Sequence, residues 1–330
     1  MVSLSALVYR GALIESKHKA VCVVKNISDK DVLSTNNNNL PVYPRSAIKI
    51  FQALPFISSN AHILFNLTKK NIAISCSSHA GEPEHIYVLK KWLEKIGISL
   101  KQLKCGIHNP LDEQSSNNIF LSGKNPTQLH NNCAGKHLAM ISGCLANKME
   151  IDNYIDFNHP YQKLIRQSLE RFMQLEIQNK YIGTDGCGVP QYAFPLTNIA
   201  SSMINLIKEK EKRTKYSNTI NIILSAIIKF PILIGGHNRF DSEVIKITKG
   251  RLFCKGGAEG VLIFADFTKK IGGVIKILDG NNRAIPSIAM QIFLKLKLLS
   301  ENEINKLKNW TTQSLFNHAK KNVGKITAKL

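Results

Sequence analysis

The sequence predicts an α+β fold, in which both ends of the chain build one antiparallel sheet and the middle forms a mostly helical subdomain. Three observations predict it. The opening and the region after Gly235-Gly236 consist of short apolar runs broken by polar residues, Gly, Asp and Lys. The middle carries the 3.6-residue hydrophobic period in one segment after another. No internal repeat or extended linker divides the chain. A single domain over 1–330 is therefore expected, with a sheet-containing subdomain of 1–45 plus 236–330 and a mostly helical one of 46–235.

In chain order, Ala6–Tyr9, Leu13–Ile14 and Ala20–Val24 read as antiparallel strands, and Asn36–Asn39 as a polar loop. From Pro44-Arg45-Ser46 a helical pattern runs through Ile48, Phe51, Ala53 and Leu54 to Pro55. Asn71–Ser75 is short and apolar enough to be buried. Pro83 followed by His85–Ile96 reads as an amphipathic helix stopped at Gly97, with Ile86, Leu89, Leu93 and Ile96 on one face. Gly135–Leu145, Pro160–Phe172, Asn198–Lys212 and Asn218–Phe230 are expected helices. Val244–Ile247, Leu252–Cys254, Val261–Ala265 and Val274–Leu278 read as strands. Ala284–Leu299 reads as a final long helix, and Trp310 and Phe316 as the anchors of a Lys- and Asn-rich tail.

Composition bounds the function class. With 44% hydrophobic and 20% charged residues in 330, the chain is globular and not disordered. No apolar run approaches the roughly 20 residues that cross a bilayer. Met1–Arg10 has no basic segment ahead of an apolar run, so a cytoplasmic protein without membrane attachment is expected. The net charge is +21, but its lysines are scattered as pairs (Lys69-Lys70, Lys90-Lys91, Lys269-Lys270, Lys320-Lys321). They form no basic run interleaved with aromatics, so nucleic acid is not expected as a partner. Seven widely spaced cysteines with no Cys-x-x-Cys argue for reduced thiols.

The chemistry starts at Ser46-Ala47-Ile48-Lys49. On a helix, residues three apart share a face, so Ser46 and Lys49 are expected to point into one space. A serine hydroxyl becomes a nucleophile when a base takes its proton, and a lysine serves once its surroundings keep it neutral. Ser78 stands where the chain leaves the apolar segment 71–75, and Lys255-Gly256-Gly257 follows the strand Leu252–Cys254. Penicillin-recognising enzymes use Ser-x-x-Lys, Ser-Asp-Asn and Lys-Thr-Gly in that chain order. Here the order is kept, with Ser78 and Lys255 in the second and third places, but the second and third motifs differ in detail. Gly256 and Gly257 would let a substrate approach the strand edge and leave backbone N–H groups for an oxyanion.

A second constellation suits a metal. Cys133 and His137 are one helical turn apart, and Cys187 stands in the glycine-rich loop Gly183–Pro190. Spacing alone proposes these three as ligands of an open Zn²⁺ site.

Taken together, the motifs resemble one family. They are Tyr9-Arg10-Gly11 with Glu15-Ser16, Pro44–Pro55, Ser77–His85, His130–His137, Asp185–Pro190, Gly236–Asp241, Lys255–Gly260 and Lys276–Gly280. This set resembles the thermolabile, Rhizobium-type L-asparaginase II family over nearly the whole chain. The resemblance implies a fold of the serine β-lactamase/glutaminase type and two Ser–Lys pairs, Ser46 with Lys49 and Ser78 with Lys255. It implies zinc held by Cys133, Lys136 and Cys187, which replaces the His137 of the spacing argument by Lys136. Asp185 and His137 are then the expected substrate-binding residues, and a homodimer is expected. The implied activity is hydrolysis of L-asparagine to L-aspartate and ammonia through an acyl-enzyme. The alternatives are a glutaminase, a β-lactamase-like amidase, and a non-enzymatic zinc- or nucleic-acid-binding protein.

Overall fold

A computed structural model describes residues 3–330. The chain divides into two compact units. A sheet unit comprises Met1–Ala47, Phe194–Ile207 and Glu243–Leu330, and a helical unit comprises Ile48–Ala193 and Lys208–Ser242.

The sheet unit is built on eight strands, every pair antiparallel. Seven lie in the order Gln313–Phe316, Asn322–Lys329, Leu4–Arg10, Leu13–Asn26, Ile271–Ile277, Val261–Asp266 and Leu252–Gly257. Asp31–Ser34 pairs with Leu13–Asn26 off this path. The first and last strands of the chain are therefore neighbours, with Val8 opposite Ile326. Leu13–Asn26 is exposed from Leu13 to Glu15 and buried from Ala20 to Lys25, with His18 buried between, and Val261–Asp266 is buried throughout. Strands that are buried on both faces lose the polar alternation of an open sheet. The helix Ile285–Lys295 covers the first and last strands, and Phe293 meets Phe264 edge to face at 5.1 Å.

The helical unit is organised around Ala134–Ala146, whose residues 134–144 are all buried. A helix apolar on every side belongs at the centre of its neighbours. Lys69–Ser75, Pro83–Lys95 and Pro160–Met173 pack against it. Trp92 donates its indole N–H to Ser142 Oγ at 3.0 Å, and Phe51 stacks on Phe172 at 4.7 Å. Gly135 makes the closest of these approaches possible: a Cβ there would lie 2.1 Å from the Ile74 carbonyl oxygen.

The structure corrects four expectations. Val244–Ile247 belongs to the helix Phe240–Ile247 and is not a strand. A four-residue apolar run fits either period, and length alone decides nothing there. Ala284–Leu299 is not one helix: Ile285–Lys295 ends, Lys297 turns left-handed (φ +53), and Glu301–Thr311 begins behind a Ser300/Glu303 capping box. Phe316 does not anchor the tail, being 63% exposed on an edge strand. Leu13–Ile14 and Ala20–Val24 are parts of one 14-residue strand.

Candidate active site

In the sheet unit, Ser46 lies in the 3₁₀ turn Arg45–Ile48, whose last residue already belongs to the helical unit, as does Lys49, which opens the short α-helix Lys49–Gln52. Ser46 is thus on a tight turn and not on the regular α-helical face expected from spacing. Arg45 is left-handed (φ +51), which prevents the helix from extending back through Pro44. Half-buried Ser46 is held against the edge strand. A Cβ at Gly257 would stand 2.4 Å from the Pro44 carbonyl oxygen and 3.1 Å from the Ala47 amide nitrogen. The space beside Gly257 is taken by the protein's own serine turn. Lys255, two residues earlier on that strand and opposite Ile263, is buried and donates Nζ–H to the Gly256 carbonyl at 3.0 Å. The Ser46 turn therefore packs on Gly257, two residues along the edge strand from Lys255.

In the helical unit, Lys49 is fully buried. Its Nζ donates to the Ser77 carbonyl, to Ser78 Oγ at 3.3 Å, to Cys133 Sγ at 3.3 Å and to the Asn132 carbonyl at 3.5 Å. Ser77 and Ser78 follow the helix Lys69–Ser75, which starts with a Thr68/Asn71 capping box. The Ser78 amide donates to the Ile234 carbonyl at 2.9 Å. Further along this loop Glu82 accepts the His237 amide at 2.7 Å and meets His237 Nδ1 at 2.7 Å, which fastens the loop to its neighbour.

Beyond Lys49 lies a group of soft and charged donors. Cys133 caps the helix Ala134–Ala146, and Lys136 is in its first turn. Asp185 and Cys187 come from the loop joining the paired strands Ile182–Thr184 and Pro190–Tyr192, which Gly188 turns at φ +87. Lys136 Nζ is 3.1 Å from Cys187 Sγ and 3.4 Å from Asp185 Oδ2. Cys187 Sγ is 3.6 Å from that oxygen. Ligand atoms of Cys133, Asp185 and Cys187 all lie within 4.8 Å of one another. Zn–S bonds of about 2.3 Å and Zn–N bonds of about 2.0 Å imply tetrahedral donor spacings of roughly 3.3–3.8 Å. Two thiols, an amine and a carboxylate at these separations fit a buried Zn²⁺.

The electrostatics of the group are mutual. Burial alone would lower the Lys136 pKa, but Cys133, Cys187 and Asp185 outweigh it and hold the amine above the usual lysine range. The two thiols pull each other in opposite directions. The hydrogen bond from Cys133, then the charge of Lys136, draws Cys187 down against the effect of burial, while donating that bond and being buried push Cys133 up. A bound dication would take over the role of the ammonium and let Lys136 bind as a neutral amine.

His137 is not part of the donor group among the described residues. It is fully buried, with Nδ1 2.6 Å from the Tyr154 hydroxyl. Burial first, and then the Lys136 charge, bring its pKa down to about 3, so it is neutral at physiological pH. His79, beside Ser78, is also fully buried and pushed well down by burial. It stacks on His85 at 5.2 Å, and neither of its ring nitrogens has a hydrogen-bond partner among the described residues. Spacing arguments singled out neither His79 nor Tyr154: a buried polar residue off any periodic face leaves no signal in one sequence.

The structure thus brings Lys49, Ser78, Cys133, Lys136, His137, Asp185 and Cys187 together in the helical unit, and in the sheet unit places the Ser46 turn against Gly257, two residues from Lys255. Asp185, expected to bind substrate, sits within the metal-donor group, and its Oδ1 accepts the Gly186 amide at 2.9 Å. No helix among the described residues is long and apolar enough to cross a membrane.

The chain matches the family described as L-asparaginase II over residues 6–328. Similar solved structures include a β-lactamase from Mycobacterium bovis, at 11% identity and a TM-score of 0.44, covering 84% of this chain and 94% of that one. A candidate β-lactamase from Bacteroides dorei is similar at 13% identity and a TM-score of 0.42, covering 83% and 92%. No curated protein matches the chain.

Proposed function

We propose that this chain, which belongs to the L-asparaginase II family, hydrolyses the side-chain amide of L-asparagine through a serine-bound acyl intermediate. Ser46 attacks the amide carbon as Lys49, three residues on, accepts its proton. Backbone N–H groups hold the oxyanion. The C–N bond breaks, and ammonia departs with a proton supplied through Ser78 and Lys255. Water then adds to the acyl ester, releases L-aspartate and returns the proton to Ser46.

The observation that carries this reading is the placement of Lys49. Lys49 is removed from solvent beside the Ser78 hydroxyl at 3.3 Å, and desolvation favours the neutral amine that a base must be. Cys133, Lys136 and Cys187, with Asp185 adjacent, would hold Zn²⁺. When bound it would supply a fixed positive charge against which an oxygen of the substrate is oriented. A homodimer accompanies this reading through the family resemblance.

The 3.3 Å contact between Lys49 and Ser78 favours a second assignment within the same chemistry, with Ser78 as nucleophile. Ammonia release from asparagine and from glutamine, followed side by side in the parent protein and in Ser46→Ala, Ser78→Ala and Lys49→Ala, separates these readings. The expected result is asparagine preference, with kcat reduced at least about a thousandfold in Ser46→Ala and Lys49→Ala. Mass spectrometry should detect an acyl adduct on the peptide containing Ser46. An adduct on Ser78 would reverse the serine roles, and full activity in folded Lys49→Ala would overturn the mechanism.

A further inference from the structure

We propose that Tyr154 is a positioning residue that fixes His137 as an Nε2–H donor, aimed at an oxygen of the substrate. This proposal rests on the amidohydrolase reading above and adds a recognition element to it. Tyr154 is completely buried. Its hydroxyl oxygen accepts the Lys104 amide N–H at 2.9 Å and lies 2.6 Å from His137 Nδ1. A phenol has one proton to give. If Nδ1 carried a hydrogen and donated to the tyrosine, the hydroxyl would accept twice and its own proton would have no acceptor. The arrangement that uses every group has Lys104 N–H donating to the hydroxyl and the hydroxyl donating to Nδ1. The hydrogen of a neutral imidazole is then on Nε2.

That Nε2–H is buried and has no partner among the described residues. Leaving such a donor unpaired is destabilising, so a buried orphan marks the place of an acceptor absent from the protein itself. The surroundings identify the acceptor's chemistry. His137 directly follows Lys136 on the helix that Cys133 caps, one helical turn from that cysteine and so beside the cluster already described. A ligand entering there with a carboxylate or amide oxygen would satisfy the orphan. The opposite tautomer would present a lone pair to that oxygen and repel it. Tyr154 thus selects between attraction and repulsion without touching the substrate.

The pair makes a double-mutant test possible. Tyr154→Phe retains the ring but removes the hydroxyl, so the imidazole can take either tautomer. The expected result is a KM for asparagine raised roughly tenfold to a hundredfold, the worth of one hydrogen bond to a charged group, with a smaller change in kcat. His137→Gln carries an amide that can always donate from the position of Nε2. In that background, Tyr154→Phe should have no further effect on KM. Additive effects would mean that Tyr154 acts only through packing, and would overturn the proposal.

Two readouts do not depend on turnover. Imidazole nitrogen NMR of the parent protein, assigned by loss of the signal in His137→Gln, should show hydrogen on Nε2 and none on Nδ1. The reverse pattern would overturn the proposal even if Tyr154→Phe fails to fold. Zinc content should be equal in the parent protein and His137→Gln; loss of zinc would make Nε2 a ligand and overturn its role as donor. If the parent protein releases no ammonia while the NMR pattern holds, the activity assignment has failed and the tautomer assignment has not.

Discussion

Ser46 and Lys255 of the sheet unit are placed by backbone, whereas the functional groups of the helical unit are placed by one another. Along the edge strand Leu252–Gly257, the serine turn sits against a residue with no side chain, and Lys255 bonds to a neighbouring carbonyl. Around the helix Ala134–Ala146, Lys49, Lys136, Cys133, Asp185 and Cys187 are buried and ordered by contacts among their own charged and sulfur-bearing ends. The first arrangement depends on shape and tolerates no added volume. The second depends on charge balance and tolerates no lost partner, because a buried charge without its counterpart is strongly destabilising.

Gly257→Ala should break the shape side of this contrast and give the largest effect. The new Cβ would meet the Pro44 carbonyl oxygen, so the Ser46 turn must move. A displacement near 1 Å costs about a hundredfold in rate. Steady-state kinetics should show that loss in kcat, with zinc content unchanged. A normal kcat would mean that the turn does not depend on the edge strand.

On the charge side, Cys187→Ala should abolish zinc retention, measured as metal per chain. It should lower stability by about 2–4 kcal/mol in chemical denaturation, because Lys136 loses its nearest counterpart. Retained zinc would remove Cys187 from the ligand set.

The pH dependence of stability should be milder. The His137 pKa falls from 6.5 in the unfolded chain to about 3 on folding, and His79 is lowered in the same direction. The unfolded state therefore binds more protons between about pH 3 and 6.5. This contribution is fully present above 6.5 and is lost on acidification toward 3, at up to about 1.4 kcal/mol per pH unit for each proton. Melting temperature should accordingly fall as pH is lowered from 7 to 4.5, and His79→Leu should flatten part of the slope. An unchanged slope in that variant would remove His79 as a contributor.

Much of the fold was legible because burial imposes a period. The helix expected at His85–Ile96 is Pro83–Lys95, that at Pro160–Phe172 is Pro160–Met173, and the strand at Val261–Ala265 is Val261–Asp266. Errors occurred where a run was too short to carry a period, as at Val244–Ile247, or where the break was a backbone conformation, as at Lys297. At the candidate site, the serine, lysine and cysteine types could be singled out because the proposed chemistry restricts which residues can serve. The presence of Asp185 in the candidate donor cluster was not, since it depends on a loop meeting a helix whose Lys136 is 49 residues away in sequence.

The sequence by itself determined the family and the α+β class, and singled out the candidate serines, lysines and thiols. These follow from residue type and local period, which are properties of neighbours along the chain. Only the tertiary structure decided that Gly257 makes room for the protein's own serine turn, that Lys49 reaches a thiol 84 residues away and that the Tyr154 hydroxyl meets His137. Such contacts arise when packing excludes water and each buried polar group must take whatever partner the fold places beside it.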